Sequence, residues 1–264
     1  LQDNLEKCRH YGMDIIMPDS GRLACGDVGS GKLPSEEVLV AAILKEIRYE
    51  KDMQGLKVLV TAGATQEAID PVRFISNHST GKMGFALAKT AMQRGADVTV
   101  VAAHTSAKEP LYVNIRRVSS AADMFEACKE EAKTADLIIK AAAVADYTPV
   151  ETADNKIKKS DDTMAITCKR TQDILAYLGA HKPDGQFLCG FSMETQDVIK
   201  NSEKKLTNKN CDMICANSLK TAGAGFKTDT NVITLITEGG AVELPIMTKE
   251  QAAHRILDEL AKMI

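Results

Sequence analysis

KVLVTAGATQEAIDPVRFISNHSTGKMGFALAKTAMQRG, residues 57–95, decides the fold. The run up to Gly63 is short and β-branched, and from Gly81 apolar residues recur at helical spacing until Arg94 and Gly95. Strand, loop and helix in that order leave free backbone N–H groups and a positive dipole end at the helix start, a setting that suits phosphate. Ser79 and Thr80 are the predicted caps. The loop carries a guanidinium, a carboxamide and an imidazole on Arg73, Asn77 and His78. Two readings stay open on these residues alone: an anion site, or a capped helix behind a polar surface loop. A Walker A loop is excluded, because Met83 follows Gly81-Lys82 and Ser76 stands where its first glycine belongs. A dinucleotide fingerprint is also missing. Gly63 stands alone after the first strand, and the second strand, DVTVV (97–101), ends in Ala102-Ala103-His104 with no acidic residue to hold a ribose.

Outward from this unit, strand-like and helix-like segments alternate. Strands are predicted at 57–62, 97–101, 113–118, 136–141, 164–169, 186–191, 212–216 and 231–237, and helices at 82–94, 121–134, 171–181, 197–209 and 248–263. This alternation predicts a three-layer α/β/α fold, Rossmann-like or ribokinase-like, around a mostly parallel sheet. NVITLIT (231–237) followed by EGG and AVELP predicts a hairpin that adds antiparallel strands at one edge. Residues 1–52 differ. DIIMPDSGRLACGDVGSGKLPS (14–35) reads as a loop rich in Gly, Ser and Pro, followed by a helix from about Ser35 to Glu50. One strand-like piece and one helix do not make a core. We therefore expect two domains, 1–52 as the tail of a preceding domain plus linker, and 53–264. A first residue Leu1 rather than Met reads as a fragment or a processed chain.

The 264 residues are 44% hydrophobic and 26% charged, ordinary values for a soluble globular chain. A net charge of −3 without a basic block argues against nucleic-acid binding. No apolar run reaches the roughly 18 residues that cross a bilayer, so neither a signal peptide nor a membrane role is expected. The 7 cysteines are scattered and odd in number, which points to a reducing cytoplasm. Cys211 and Cys215 lack a nearby histidine and read as buried structural thiols.

Three further clusters carry chemistry. AAAVADY (141–147) ends the strand DLIIK, and either its small residues let a ligand approach the backbone at the sheet edge where open α/β folds bind, or it is a packed strand end with a turn aspartate. NKIKKS (155–160) can close over a triphosphate or simply stay solvated. In KKLTNK (204–209), Lys205 and Lys209 share one helix face, which is either a phosphate contact or a solvated surface.

In their order, VTAGAT, IDPVRFISNHSTGKMG, AAAVADY, NKIKK, DIL, GFSMET, ANS and GAGF with the following TD, N and ITLI resemble phosphopantothenate–cysteine ligase over residues 56–260. This family forms the second half of a bacterial bifunctional coenzyme A biosynthesis protein. Residues 1–50 resemble the end of the other half, the FMN-dependent phosphopantothenoylcysteine decarboxylase. There PDSGRLACGDVGSGK is similar to the substrate flap whose reactive cysteine is here Cys25.

The resemblance implies ligation of 4′-phosphopantothenate and L-cysteine with CTP and Mg²⁺, through an acyl-cytidylate, with the longer protein also decarboxylating the product. It implies that Asn77 serves turnover of the acyl-cytidylate. Arg73 would reach phosphopantothenate across a homodimer interface. Gly63, Ser79, Gly81 and Gly84 would surround the nucleotide phosphates, and Lys156 would be the essential flap lysine. Ala142, Ala143 and Asp146 would contact substrate, Asp146 also CTP. Gln172, Asp173, Ile174, Leu175, Phe191, Lys205 and Lys209 would contact CTP. It names no metal ligand here. The chain departs from the family at Thr171-Gln172, where Asn-Pro is usual, and at Thr148, where arginine is common. The resemblance implies that the flavin-binding residues and the catalytic histidine of the decarboxylase half have no counterpart before Leu1, so Cys25 is expected to lack its partners here. A nicotinamide-dependent Rossmann oxidoreductase is the alternative, weakened by the missing glycine fingerprint. A noncatalytic nucleotide sensor is a third.

Overall fold

A computed structural model describes residues 2–23, 25–158, 163–194, 197–218 and 228–264. Lys159, Ser160 and the GAGF motif at 223–226 lie outside the described residues. The chain divides into two compact units, Leu1–Glu50 and Lys51–Ile264.

The first unit holds helix Gln2–His10, a hairpin of Asp19–Arg22 with Val28–Lys32, and helix Glu36–Ile47. Neither helix buries a residue. The hairpin replaces the loop expected over 14–35. A ladder needs only backbone groups, and the side chain of Leu23 lies over Gly29 and Gly31 at 3.7 and 3.4 Å from where a Cβ would sit. Ser35 caps the second helix as its sequence predicts, its Oγ accepting from the Val38 N–H at 3.4 Å.

The second unit is built on one eight-stranded sheet. Six strands run parallel: β1 (Lys57–Ala62), β2 (Asp97–Ala102), β3 (Asn114–Arg117), β4 (Leu137–Lys140), β5 (Phe187–Glu194) and β6 (Met213–Ser218). β7 (Ile233–Thr237) and β8 (Gly240–Glu243) add the predicted antiparallel edge. The spatial order is β3-β2-β1-β4-β5-β6-β7-β8. The order reverses between β1 and β4, the switch point at which doubly wound sheets bind ligands.

Both faces are covered, so the parallel strands read as near-continuous apolar runs. Val58, Val60, Leu137 and Ile139 point to one core with helices α1 (Lys82–Gln93) and α5 (Lys249–Ala261). Leu59, Val101 and Ile138 alternate to the other, under α2 (Ala121–Glu131), α3 (Ile174–Ala180) and α4 (Val198–Asn208). Ser120 with Asp123, and Thr248 with Gln251, form the capping boxes that start α2 and α5.

Two local expectations fail. The strand expected at 164–169 is only Cys168–Arg170, paired with Tyr147–Pro149 outside the main sheet. β5 takes the place beside β4 directly, so Met164 and Ile166 find no core and stay exposed. The long loop after β1 contains a small hairpin, Gln66–Ala68 with Phe74–Ser76, that no strong alternation announces.

Candidate active site

At the carboxyl edge of the sheet, over the switch point, lies a cleft of about 560 Å³. Its walls come from the start of α1, the segment after β4, residues 170–175, the middle of β5 and one face of α4.

The start of α1 is more open than its sequence implies. The N-cap is Gly81, left-handed at φ 80°, and no side chain caps the helix. Ser79 Oγ instead accepts from the Gly81 N–H at 3.4 Å. The first N–H groups of α1 therefore face the cleft with the positive end of the dipole behind them. Gly84 lets α1 sit on β1, since a Cβ there would lie 2.7 Å from Ala62 Cβ and 2.8 Å from the Thr61 carbonyl oxygen. Gly63 and Gly84 thus stand behind the wall, whereas Ser79 and Gly81 line it.

Hydroxyls pin the segment after β4. Thr61 Oγ1 accepts from the Ala142 N–H and Thr65 Oγ1 from the Ala145 N–H, both at 3.0 Å. Thr171, which stands where asparagine was expected, donates from its hydroxyl to the Ala145 carbonyl at 2.6 Å. Ala142, Ala143 and Asp146 line the cleft beside Gln172, Asp173, Ile174, Leu175 and Phe191. Asp173 also caps α3, accepting from Ala176 N–H at 2.9 Å and from Lys209 Nζ at 2.6 Å. Burial alone would raise its carboxyl; the Lys209 ammonium and the Ala176 N–H outweigh that and hold it below the usual carboxylate range.

The cleft is cationic. Lys82, Lys140, Arg170, Lys205, Lys209 and Lys249 line it, against the carboxylates of Asp146 and Asp173. Sequence reasoning placed Lys205 and Lys209 here but missed Lys140, Arg170, Lys249, Asn217 and Asn231. Lys140 had a readable signal, a lysine closing an apolar parallel strand at the ligand-binding edge. Lys249 and Asn231 come from the far antiparallel region and have none.

Besides Gly63 and Gly84, three expected ligase residues, Asn77, Arg73 and Lys156, stand outside the lining. Asn77 is at the rim, its Nδ2 donating to the Ala143 carbonyl at 3.4 Å. Arg73 is fastened to its own chain. Its Nε donates to Asp70 Oδ2 at 3.0 Å and its Nη2 to the Ile157 carbonyl at 2.6 Å. Buried Asp70 also accepts from the N–H groups of Val72, Arg73 and Ile157 at 2.8, 2.9 and 3.1 Å. Burial would raise the Asp70 carboxyl, but these N–H groups and the guanidinium pull it below its ordinary value. The pair so holds both backbone groups of Ile157, and Lys156 is the exposed neighbour of that anchor. Arg73, expected to serve the neighbouring subunit's site, is thus tied to the loop next to Lys156 within its own chain. Cys25 lies exposed in the turn of the first unit's hairpin.

Cys211 and Cys215 are buried, as read, and free. Burial pushes the Cys211 thiol up to about 12. Among the described residues no group of three His, Cys, Asp or Glu could hold a metal ion. No helix among them is long and apolar enough to cross a membrane.

A doubly wound sheet with a cationic cleft at its switch point is an arrangement that suits an anionic ligand. Residues 53–264 match the DNA/pantothenate metabolism flavoprotein C-terminal domain, and the chain belongs to that family. It is 46% identical over 267 residues to the coenzyme A biosynthesis bifunctional protein CoaBC of Bacillus subtilis (strain 168), covering 100% of this chain and 66% of the relative. The same protein of Vibrio vulnificus (strain YJ016) is 41% identical over 265 residues, with 100% and 66% covered. The crystal structure of the C-terminal domain of a CoaBC protein superposes with a TM-score of 0.69 at 40% identity, over 81% of this chain and 98% of that one. The chain spans 66% of the length of these curated relatives. The oxidoreductase alternative gains no support from these relatives, and the turn after β1 offers Gly63 alone.

Proposed function

We propose that the second unit is a ligase of coenzyme A biosynthesis that joins 4′-phosphopantothenate to L-cysteine and is driven by CTP. The observation that carries this is the cation-lined cleft opening on the uncapped start of α1. Similarity to coenzyme A biosynthesis bifunctional proteins supports the reading.

In the first step a carboxylate oxygen of phosphopantothenate attacks the α-phosphorus of CTP, and pyrophosphate leaves. The N–H groups at the start of α1 and Lys205 and Lys209 on α4 hold the departing phosphates. A Mg²⁺ ion would arrive chelated by the triphosphate, since a magnesium ion takes few protein ligands and keeps substrate phosphates. In the second step the cysteine amine attacks the acyl carbon and CMP leaves, with the Asn77 carboxamide donating to the oxyanion that develops. Decarboxylation of the product with FMN would fall to a longer protein containing the other half, in which Cys25 has its part.

We also infer a homodimer. Val72 and Phe74, which flank Arg73, are 58% and 52% exposed, large apolar side chains on one small hairpin that water does not favour. Light scattering should give twice the chain mass of 28.5 kDa, and Phe74→Asp should return the monomer.

The function is tested by pyrophosphate release with CTP, ATP, GTP and UTP, each with and without cysteine. Release should require phosphopantothenate and be fastest with CTP. Release without phosphopantothenate, or none with any nucleotide, overturns the assignment.

A further inference from the structure

Lys140 closes β4, in register with Thr61 on β1 and Gly190 on β5. Strand alternation puts it on the face of Ile138, above the core shared with α2, α3 and α4. Its side chain is half-buried and reaches the wall of the cleft. Each other lysine there has an acceptor. Lys82 meets Asp229 at 2.6 Å, Lys209 meets Asp173 at 2.6 Å, Lys205 donates to the Phe191 carbonyl at 3.2 Å, and Lys249 donates to the Thr228 carbonyl. Among the described residues no oxygen accepts from the Lys140 ammonium.

We propose that Lys140 is an anion-binding residue of this cleft, placed to meet a phosphate oxygen of the bound nucleotide. This rests on the reading of the cleft as a nucleotide site. An ammonium drawn partly out of water without a counter-ion is costly, and a protein keeps one where a ligand completes it. The groups that face it cannot do so. Asp173 is engaged by Lys209. Asp146 is exposed to solvent at the cleft mouth. Lys205 on α4 is a like charge. Cys128 on α2 is a thiol pushed up to about 11 by burial, so it is neutral near neutral pH. Burial, with Lys205, pulls the Lys140 amine below its ordinary value, and the opposing pull of the Asp173 and Asp146 carboxylates does not restore it.

A phosphate oxygen beside this amine favours its charged form. Docking therefore draws one proton from solvent onto Nζ whenever the pH lies between the amine's values in the free and the bound chain. The sign follows: nucleotide affinity is full at lower pH and falls as pH rises through the free-state value, by up to about tenfold per pH unit for one linked proton. The last phosphate ionisation lies near pH 6, so above about pH 8 the charge of CTP itself is constant.

The test is CTP titration of the full chain by calorimetry, at fixed Mg²⁺, from about pH 8 upward as far as the fold persists, in buffers of different ionisation enthalpy. Wild type should take up protons and lose affinity with pH. Lys140→Met should bind about ten- to a hundredfold more weakly at the low end, the range for one charge-assisted hydrogen bond, with a shallower slope. Lys140→Arg, which stays charged throughout, should bind well with the same shallow slope and shows that the fold tolerates the position. Wild-type binding without that slope, or a Lys140→Met chain indistinguishable from wild type, overturns the role of Lys140 alone. A wild type that binds no nucleoside triphosphate overturns the nucleotide reading and this inference with it.

Discussion

Asn77→Ala is expected to leave nucleotide activation running and to slow the second half-reaction by about 10²–10³, the usual loss for one oxyanion donor. The acyl-cytidylate should then accumulate and be seen by mass spectrometry. The geometry gives the reason to expect the two steps to separate. Asn77 does not line the cleft where the cations gather; it stands at the rim, its Nδ2 3.4 Å from the Ala143 carbonyl. That bond is long, so the carboxamide can turn to a new acceptor without losing a strong partner. The loop that carries it is held from below by Ser76, whose hydroxyl donates to the Thr65 carbonyl at 2.8 Å. Asn77→Asp should be at least as slow, because a second acceptor replaces the donor and repels the oxyanion. Pyrophosphate release in a single turnover should persist in both variants. If either variant forms the ligated product at the normal rate, Asn77 has no part in the chemistry.

Most of the second unit was legible because its signals are long and redundant. β1, β2 and β4 are buried on both faces, so unbroken apolar runs mark them, and apolar residues at helical spacing mark α1. The same logic explains the failures. The segment expected as a strand at 164–169 has strand-like composition, but a strand of the sheet exists only where a partner edge is free, and β5 already occupies that edge. The first unit's hairpin is held by backbone pairing over glycines, which composition reads as loop. At the cleft, residues in compact motifs were found: Ser79, Gly81, Ala142, Ala143 and Asp146 meet there, as do Lys205 and Lys209. Asp70 was missed because a lone Asp-Pro reads as a turn. Its importance comes from Ile157, 87 residues away, and no local pattern carries such a pairing.

Asp70→Asn should slow the first half-reaction, and should do so through Lys156. Lys156→Gln alone should cost about 10²–10³ in the activation step, since it removes one fixed charge near the triphosphate. Lys158→Gln should cost little if that side chain only keeps the loop solvated. Asp70 touches neither nucleotide nor acid on this view. It is a positioning residue, fully covered and holding the loop base by accepting from Ile157 N–H, while Arg73 holds the Ile157 carbonyl. A carboxamide of the same shape cannot accept on both sides, so one of the donors from Val72, Arg73 or Ile157 loses its partner. The loop base then loosens, and Lys156 samples positions away from the phosphates. The decisive measurement is the double-mutant cycle. If Asp70 acts by placing Lys156, Asp70→Asn should cost at least tenfold in the wild-type background and almost nothing once Lys156 is glutamine. Thermal unfolding of all four chains, followed alongside, separates this from a general loss of fold. Equal losses in both backgrounds would mean that Asp70 supports the hairpin alone and that Lys156 finds the nucleotide without its help.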